Sequence, residues 1–424
     1  MSNHAEFFIV GTPLLADTPS YVTRPADDEL LQRVLGGTLC YVLTARQMGK
    51  SSLMARTAAS LRACGVQPAQ VSLRSISATS LDAWYPELLL HIAQMLSLDV
   101  DVDVWWRSHE GLGAPQRFVD FLRDVVLDKV EWPIVVFIDD VDATLDLEFR
   151  DDFFAAIRAT YNARANDSIY NRLTFVLLGV ASPTDLIQDR ARTPFNIGRS
   201  IALQEFSVSN MAPLCAGLEP RHSEHAGAIL ERILYWTGGQ PYLTQKLCLA
   251  ASDAQMETWP ERFVDQLVDK VFFAANGHSD TYLMSVRSHI QALPVPDRQS
   301  LLKRYIDIYR EKPLSDDNHA PEQRRLELLG LIREEHGHIR VHNRIYRHVF
   351  DERWVRAVEP TRLRRFFAIV VSFVIVLGAM LIALNVTSGA APRARNLATT
   401  LSATALRADA TAPGGAIAQP TLQS

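Results

Sequence analysis

The segment TARQMGKSS at residues 44–52 constrains the fold of this chain more than any other feature. The P-loop pattern is G-x-x-x-x-G-K-[ST] between a strand and a helix, and the tripeptide at 49–51 supplies its last three positions. Thr44 stands where the pattern has its first glycine. The apolar run Cys40–Leu43 and the helical periodicity of Ser51–Cys64 supply the expected frame, although the tripeptide alone would also fit an incidental turn.

This loop predicts a phosphate-binding site. In such a frame the backbone N–H groups of the loop and of the helix N-terminus point at the β-phosphate, where the helix dipole favours negative charge. We expect Lys50 to reach the β- and γ-oxygens as a catalytic cation, and the Ser51 hydroxyl to ligate Mg²⁺. The residues predicted to bind the nucleotide here are Thr44, Ala45, Arg46, Gln47, Met48, Gly49, Lys50, Ser51 and Ser52.

A second signal is the segment WPIVVFIDDVD at 132–142, whose apolar strand ends in two carboxylates. Acids at the carboxyl end of a parallel strand face the crevice where ligands bind in open α/β sheets. Asp139 is predicted to hold Mg²⁺ through water, because this ion dehydrates reluctantly, and Asp140 to polarise the attacking water. Taken alone, these acids could simply follow a buried strand into solvent; their position after a P-loop favours the metal site.

Apolar runs that alternate with helical stretches predict an α/β fold with a parallel sheet covered on both faces. The predicted strands are Cys40–Ala45, Val71–Ile76, Pro133–Asp139, Leu173–Ala181 and Arg199–Leu203. Ser182 or Thr184 could touch the γ-phosphate, and Arg192 or Arg199 could act as an arginine finger, but ordinary loop and surface roles are favoured for all four.

The apolar run Phe366–Leu384 contains no charged residue. A helix of that length nearly matches a hydrocarbon core of ~30 Å, so the run predicts one transmembrane helix rather than a buried core helix. Arg362, Arg364 and Arg365 precede it, and the positive-inside rule therefore predicts a single-pass membrane protein with a cytoplasmic N-terminal body.

Composition divides the chain into four predicted regions. They are a nucleotide-binding α/β domain at 7–250, a mainly helical module at 255–355, the transmembrane helix at 366–384 and a tail at 385–424. The tail is rich in Ala, Thr, Pro, Gly and Ser and is predicted to be disordered, because it cannot bury enough apolar surface to fold. In the helical module, residues 326–350 predict a helix, a short β-wing and a further helix.

The segment YVTRPADDELLQRVLGGTLCYVLTARQMGKSSLMART at 21–57 closely resembles the AAA-like domain of STAND-type (signal-transduction, multidomain) P-loop NTPases, which are common in bacteria. The blocks TPFNIGRSIALQEFS, YWTGGQPYLTQKLC and HNRIYRHVFDERWV are similar to later parts of that family. The resemblance covers roughly residues 7–355. It implies an ATPase core of the ASCE type, a winged-helix-like module, ATP and Mg²⁺ as cofactors and, with the transmembrane helix, a place in the bacterial inner membrane.

The resemblance also implies roles for single residues. Lys50 and Ser51 match the Walker A lysine and serine, and Asp139 with Asp140 matches the Walker B pair. Many relatives carry Glu at the second Walker B position, and the shorter acid implies slower hydrolysis. The residues that fall where relatives approach the base or sugar are Tyr21, Arg24 and Pro241.

Three functions stay open at this point. The first is a membrane-anchored, ATP-dependent signalling switch with slow hydrolysis; the second is a non-hydrolysing nucleotide-bound scaffold that recruits an unknown protein partner to the membrane. The third is a membrane-tethered DNA-binding regulator, although the net charge of −5 gives no sign of a nucleic-acid partner. Glu334, Glu335 and Asp351 offset the basic residues of the winged-helix-like module and favour a packing role for it. Any of the three allows a homo-oligomer.

Overall fold

A computed structural model describes residues 7–189, 192–274, 280–312, 320–335, 337–359 and 371–381. The chain divides after Val358 into two compact units. In the first unit the α-helices are α1 (Pro25–Leu35), α2 (Lys50–Ala63), α3 (Leu81–Met95), α4 (Val102–Ser108), α5 (Ala114–Phe121), α6 (Arg150–Asn162), α7 (Pro183–Leu186), α8 (Ala212–His222), α9 (Ala226–Thr237), α10 (Pro241–Asp253), α11 (Pro260–Val268), α12 (Thr281–Ala292), α13 (Val295–Tyr309), α14 (Pro321–Leu328), α15 (Arg344–Val349) and α16 (Glu352–Val358).

A parallel five-stranded sheet lies at the centre of the first unit. Its strands are β1 (Cys40–Leu43), β2 (Gln67–Ser72), β3 (Ile134–Asp139), β4 (Leu173–Gly179) and β5 (Arg199–Ser200), in the order β2-β3-β4-β1-β5. The predicted α/β fold with a parallel sheet is therefore present. Because all five strands run the same way, the loop after β1 and the acids at the end of β3 lie at the same edge of the sheet.

Both faces of this sheet are buried. Ile134, Val136 and Ile138 of β3 belong to one hydrophobic cluster, and the intervening Val135 and Phe137 belong to another on the opposite face. Helices pack on both sides, so β3 and β4 are buried at every position and read as continuous apolar runs instead of alternating ones.

Two strands differ from the predicted boundaries. β2 begins at Gln67 and ends at Ser72, four residues before the predicted end, because Leu73–Ser75 form a 3₁₀ turn in which the Ser72 side chain accepts from the backbone N–H of Arg74. β5 contains only Arg199 and Ser200. Both strands lie at an edge of the sheet and pair on one side only.

The region after α7 is mainly helical and has its own hydrophobic cluster. Helices α12, α13 and α14 are followed by an antiparallel hairpin of β6 (Ile332–Glu335) and β7 (His338–Val341), and then by α15. This order of elements is the one that a winged-helix-like module requires. The module itself and the predicted boundary near residues 250–255 remain predictions.

The prediction of a transmembrane helix at Phe366–Leu384 is wrong. Within the described residues, no helix combines the length and apolarity needed to cross a bilayer. The single-pass placement in a bacterial inner membrane depended on this helix and is contradicted with it. The flanking residues of the run and the predicted tail at 385–424 lie outside the described residues.

Candidate functional site

The P-loop joins β1 to α2 through two residues in the left-handed region. Gln47 has φ 62° and Gly49, which precedes the first residue of α2, has φ 88°. A β-carbon at Gly49 would lie 3.1 Å from an Arg24 guanidinium nitrogen, so this position favours glycine for both its backbone angle and its close neighbour. The loop therefore leads directly into the N-terminus of a 14-residue helix, whose first N–H groups are free to bind an anion.

Lys50 lies half-buried at the start of α2. Its Nζ donates to the carbonyl oxygens of Thr44, at 3.3 Å, and Ala45, at 3.0 Å. Burial lowers the pKa of Lys50 to about 8, and the nearby negative charges, of which Asp139 acts most strongly, offset only part of this effect. An anion beside the ammonium group would raise this pKa again, because it favours the charged form.

Ser51 and Asp139 meet beneath the loop. The Ser51 hydroxyl donates to Asp139 Oδ2 at 2.9 Å, across 88 residues of sequence. Burial is the main cause that raises the pKa of Asp139, followed by the charge of Asp140. A hydroxyl and a carboxylate at this separation fit Mg²⁺, which usually takes one or two protein oxygens and completes its shell with water and phosphate oxygens.

Asp140 turns away from the β3 strand in a left-handed conformation, with φ 56°. Its Oδ2 accepts from the Ser72 hydroxyl at 2.7 Å, and its Oδ1 lies 3.1 Å from the Arg74 guanidinium. Arg74 also donates to Asp142 at 2.6 Å. Asp140 is therefore engaged by two side chains from the end of β2.

A cavity of about 490 Å³ opens beside the P-loop. This volume lies within the range of roughly 300–1,000 Å³ that is typical of small-molecule sites. At its phosphate end it is lined by Lys50, Ser51, Asp139 and Asp140. The other lining residues are Ile9, Val10, Gly11, Thr12, Pro13, Leu14, Tyr21, Val22, Arg24, Arg46, Gln47, Gly49, Ser52, Arg74, Val180, Phe206, Pro241, Tyr242 and Gln245.

The segment before α1 forms one wall of this cavity. The Arg24 guanidinium donates to the carbonyl oxygen of Met48 in the P-loop at 2.8 Å, and burial lowers its pKa. The Tyr21 hydroxyl donates to Asp27 at 2.5 Å, and burial raises its pKa. Arg24 therefore ties this wall to the loop.

The N-terminus of α10 forms the opposite wall. Pro241 is the first residue of the helix, and Gln240 before it caps the helix by accepting from the N–H of Leu243 at 2.7 Å. The other end of the Gln240 amide donates to the carbonyl oxygen of Gln47 in the P-loop at 3.1 Å. The structure thus places the three residues expected near the base or sugar, Tyr21, Arg24 and Pro241, around one cavity with the P-loop.

Some residues named from the sequence do not line this cavity. The side chains of Ala45 and Met48 are buried in the hydrophobic cluster beneath the sheet, and Thr44 contributes its carbonyl to Lys50. Ser182 caps the short helix α7, and Thr184 accepts from Arg324. Arg192 pairs with Asp152 at 2.5 Å, and Arg199 is exposed on β5.

Four residues at the site were not expected from the sequence: Ser72, Arg74, Gln240 and Gln245. The position of Ser72 and Arg74 depends on the end of β2. Because β2 ends at Ser72, which pairs with Asp139, both residues lie beside the end of β3. The signal for Gln240 was its place one residue before Pro241, since a polar residue before a helix-starting proline is a typical cap.

Comparison with known proteins supports this architecture. The chain is similar to an uncharacterised WD repeat-containing protein of Synechocystis, with 37% identity over 373 residues, which is 84% of this chain and 31% of that protein. The chain therefore spans about a third of that relative. Among solved structures it is similar in fold to a Walker-type ATPase of Pyrococcus abyssi, with a TM-score of 0.52, 15% identity, and coverage of 81% of this chain and 99% of the other.

The model of one protein family covers most of the chain. The match to the AAA-like domain extends over residues 10–352, which includes the P-loop, both candidate acids and the hairpin of β6 and β7. The chain therefore belongs to the AAA-like domain family and has a P-loop NTPase-like fold.

Proposed function

We propose that this chain binds ATP with Mg²⁺ and works as a slowly hydrolysing signalling switch of the STAND type. The observation that carries the proposal is the hydrogen bond between Ser51 and Asp139 beneath a P-loop that opens into a cavity of nucleotide size. Family membership supports ATP as the ligand.

Each polar group has a defined task in this proposal. Lys50, charged at neutral pH, neutralises the β- and γ-phosphate oxygens. Ser51 and Asp139 hold Mg²⁺, which supplies charge neutralisation at the phosphates. Asp140 orients the attacking water as the candidate base. The loop N–H groups and the N-terminus of α2 bind the phosphate chain.

The contacts of Asp140 support slow turnover. Both oxygens of the Asp140 carboxylate are engaged, Oδ2 by the Ser72 hydroxyl and Oδ1 by the Arg74 guanidinium. The Asp140 carboxylate has to break at least one of these two contacts before it can orient water. Hydrolysis then depends on a movement at the end of β2, which suits a switch.

The same contacts favour a second candidate, a non-hydrolysing scaffold that binds nucleotide and recruits an unknown protein partner. In that case Asp140 would serve only to hold Arg74 and the end of β2. The described contacts of α15 do not favour the DNA-binding alternative, since Arg344 packs over the Tyr235 ring and Arg347 pairs with Glu311.

Titration calorimetry with the full chain, ATP and Mg²⁺ tests the proposal. We expect wild-type protein to bind and Lys50→Ala to lose at least tenfold in affinity, because the phosphate charge is then unpaired. Asp140→Asn separates the two candidates: a slow hydrolase keeps binding and loses turnover, whereas a scaffold shows no turnover in either form. Wild-type protein that does not bind ATP, or Lys50→Ala that binds equally well, would refute the proposal.

A further inference from the structure

A buried hydrogen-bond acceptor without a partner lies on a wall of the nucleotide cavity. Gln245 of α10 lines the cavity and is 5% exposed. Its amide nitrogen donates to the backbone carbonyl of Ser20 at 2.9 Å. Its amide oxygen, Oε1, has no hydrogen-bond partner among the described residues. A buried polar atom of this kind is costly to leave unpaired, and its presence beside a cavity indicates a ligand that completes it.

The contact with Ser20 fixes which end of the amide is unpaired. A backbone carbonyl can only accept, so the nitrogen of Gln245 faces Ser20 and the oxygen is left over. The amide oxygen of Gln245 therefore requires a hydrogen-bond donor. A ligand group that is itself an acceptor would face the amide oxygen with no hydrogen between them.

The position of Gln245 separates it from the phosphate end of the cavity. Gln240 bonds to the P-loop at Gln47, and Gln245 follows five residues later on the same helix. At 1.5 Å per residue this is roughly 7 Å further along the helix axis. Pro241, Tyr242 and Gln245 recur at the spacing that places residues on one helical face, and all three line the cavity.

The helix that carries Gln245 is held in place by contacts of its neighbours. Tyr242 and Lys246, its neighbours on α10, both contact the buried carboxylate of Asp280 at 2.9 and 2.5 Å. These contacts fix α10 against α12, so the amide of Gln245 is held on a rigid element. The apolar side chains that line the same cavity include Val22 and Phe206, which suit a flat heteroaromatic ring.

We propose that Gln245 Oε1 accepts a hydrogen bond from the exocyclic amino group at the six position of a purine, and that it selects adenine nucleotides. This inference rests on the proposed function and adds the base-reading residue to it. Adenine presents an amino donor at this position, whereas guanine and hypoxanthine present a carbonyl oxygen. The 6-oxo purines would leave Oε1 unpaired and bring two acceptors together, which a buried site penalises strongly.

Affinities of the full chain for ATP and for inosine triphosphate, each with Mg²⁺, test this assignment. Both share the phosphates and the ribose; inosine triphosphate has a carbonyl oxygen in place of the amino group at the six position and a hydrogen on the adjacent N1. We expect wild-type protein to prefer ATP by on the order of tenfold or more. Gln245→Met removes the acceptor at similar length, and we expect its preference to fall to about equality, because ATP loses a hydrogen bond and inosine triphosphate no longer faces a buried acceptor.

Gln245→Glu is the control that keeps an acceptor oxygen; it loses the donor to Ser20 and adds a negative charge, so both affinities should fall together. We expect it to retain a preference for ATP. Equal affinity of wild-type protein for both nucleotides would overturn the assignment and leave the proposed function standing. A parallel loss of both affinities in Gln245→Met would assign Gln245 a purely structural role and overturn it too. Binding of neither nucleotide by wild-type protein would overturn the proposed function and this inference together.

Discussion

At the scale of single residues, Lys50 makes a prediction about pH. Its pKa in the protein is about 8, and phosphate favours the protonated form. Below pH 8 the side chain is already charged, so ATP affinity should change little. Above pH 8 binding must take up a proton, and the affinity should fall by up to about tenfold per pH unit. Calorimetry from about pH 7 to about pH 9.5 measures this slope.

Lys50→Arg provides the control for this titration, because a guanidinium stays charged over the whole range. We expect weaker binding by this variant, with an affinity that is nearly independent of pH. A wild-type affinity that stays constant up to pH 9.5 would show that Lys50 does not titrate in this range or does not contact the ligand.

Single residues also show what the sequence could reveal of the site. The spacing of Gly49, Lys50 and Ser51 within the loop is local, so the pattern alone located them. Asp139 followed from a continuous apolar run that ends in acids. Arg74 and Gln245 reach the site only because strands pair in one register and a helix packs against the N-terminal segment, and neither relation is encoded in local spacing.

At the scale of elements, the buried central strands were easier to predict than the edges. β3 and β4 are covered on both faces, so their apolar runs coincide with their true ends within two residues. The predicted second strand lay too late in the sequence, because VSLRSI at 71–76 has the composition of a strand. In the structure Ser72 instead caps the 3₁₀ turn that follows β2. The transmembrane helix was inferred from the apolar composition of one run, and no helix among the described residues has the length and apolarity to cross a bilayer.

The turn before α10 carries a prediction about stability. Gly239 has φ +81°, and a β-carbon there would clash with the carbonyl oxygen of Phe206. The backbone N–H of Phe206 also donates to the carbonyl oxygen of Gly239. We expect Gly239→Ala to lower the free energy of unfolding by on the order of 2 kcal/mol or more, from the strained backbone and the clash together. Urea denaturation measures the loss.

Gly227 offers a matched control on the neighbouring helix α9. It is exposed, its backbone φ is not positive, and no atom lies within 4 Å of an added β-carbon. Gly227→Ala should therefore leave stability unchanged or raise it by up to about 1 kcal/mol. Equal effects of the two substitutions would contradict the structural role assigned to the turn at Gly239.

At the scale of the whole molecule, the N-terminal segment links the parts on either side of the predicted boundary. Phe8 and Val22 are buried in the hydrophobic cluster of the helical region, although they precede the sheet in sequence. Gln245 bonds to Ser20, and Gln240 bonds to Gln47. These contacts join α10 to the P-loop region within the unit that ends at Val358.

We therefore predict that this unit responds to nucleotide as one cooperative body. At an ATP concentration about a hundred times the Kd, ligand binding contributes about 2.7 kcal/mol, which corresponds to a rise in Tm of roughly 4 °C for a unit of this size. Calorimetric melting of the full chain with Mg²⁺ should show one transition that shifts with ATP, and Lys50→Ala, which binds at least tenfold more weakly, should show at most about half of the shift. Two transitions of which only one responds would instead establish that the predicted regions 7–250 and 255–355 unfold independently, and that the contacts of Tyr242 and Lys246 with Asp280 do not couple them.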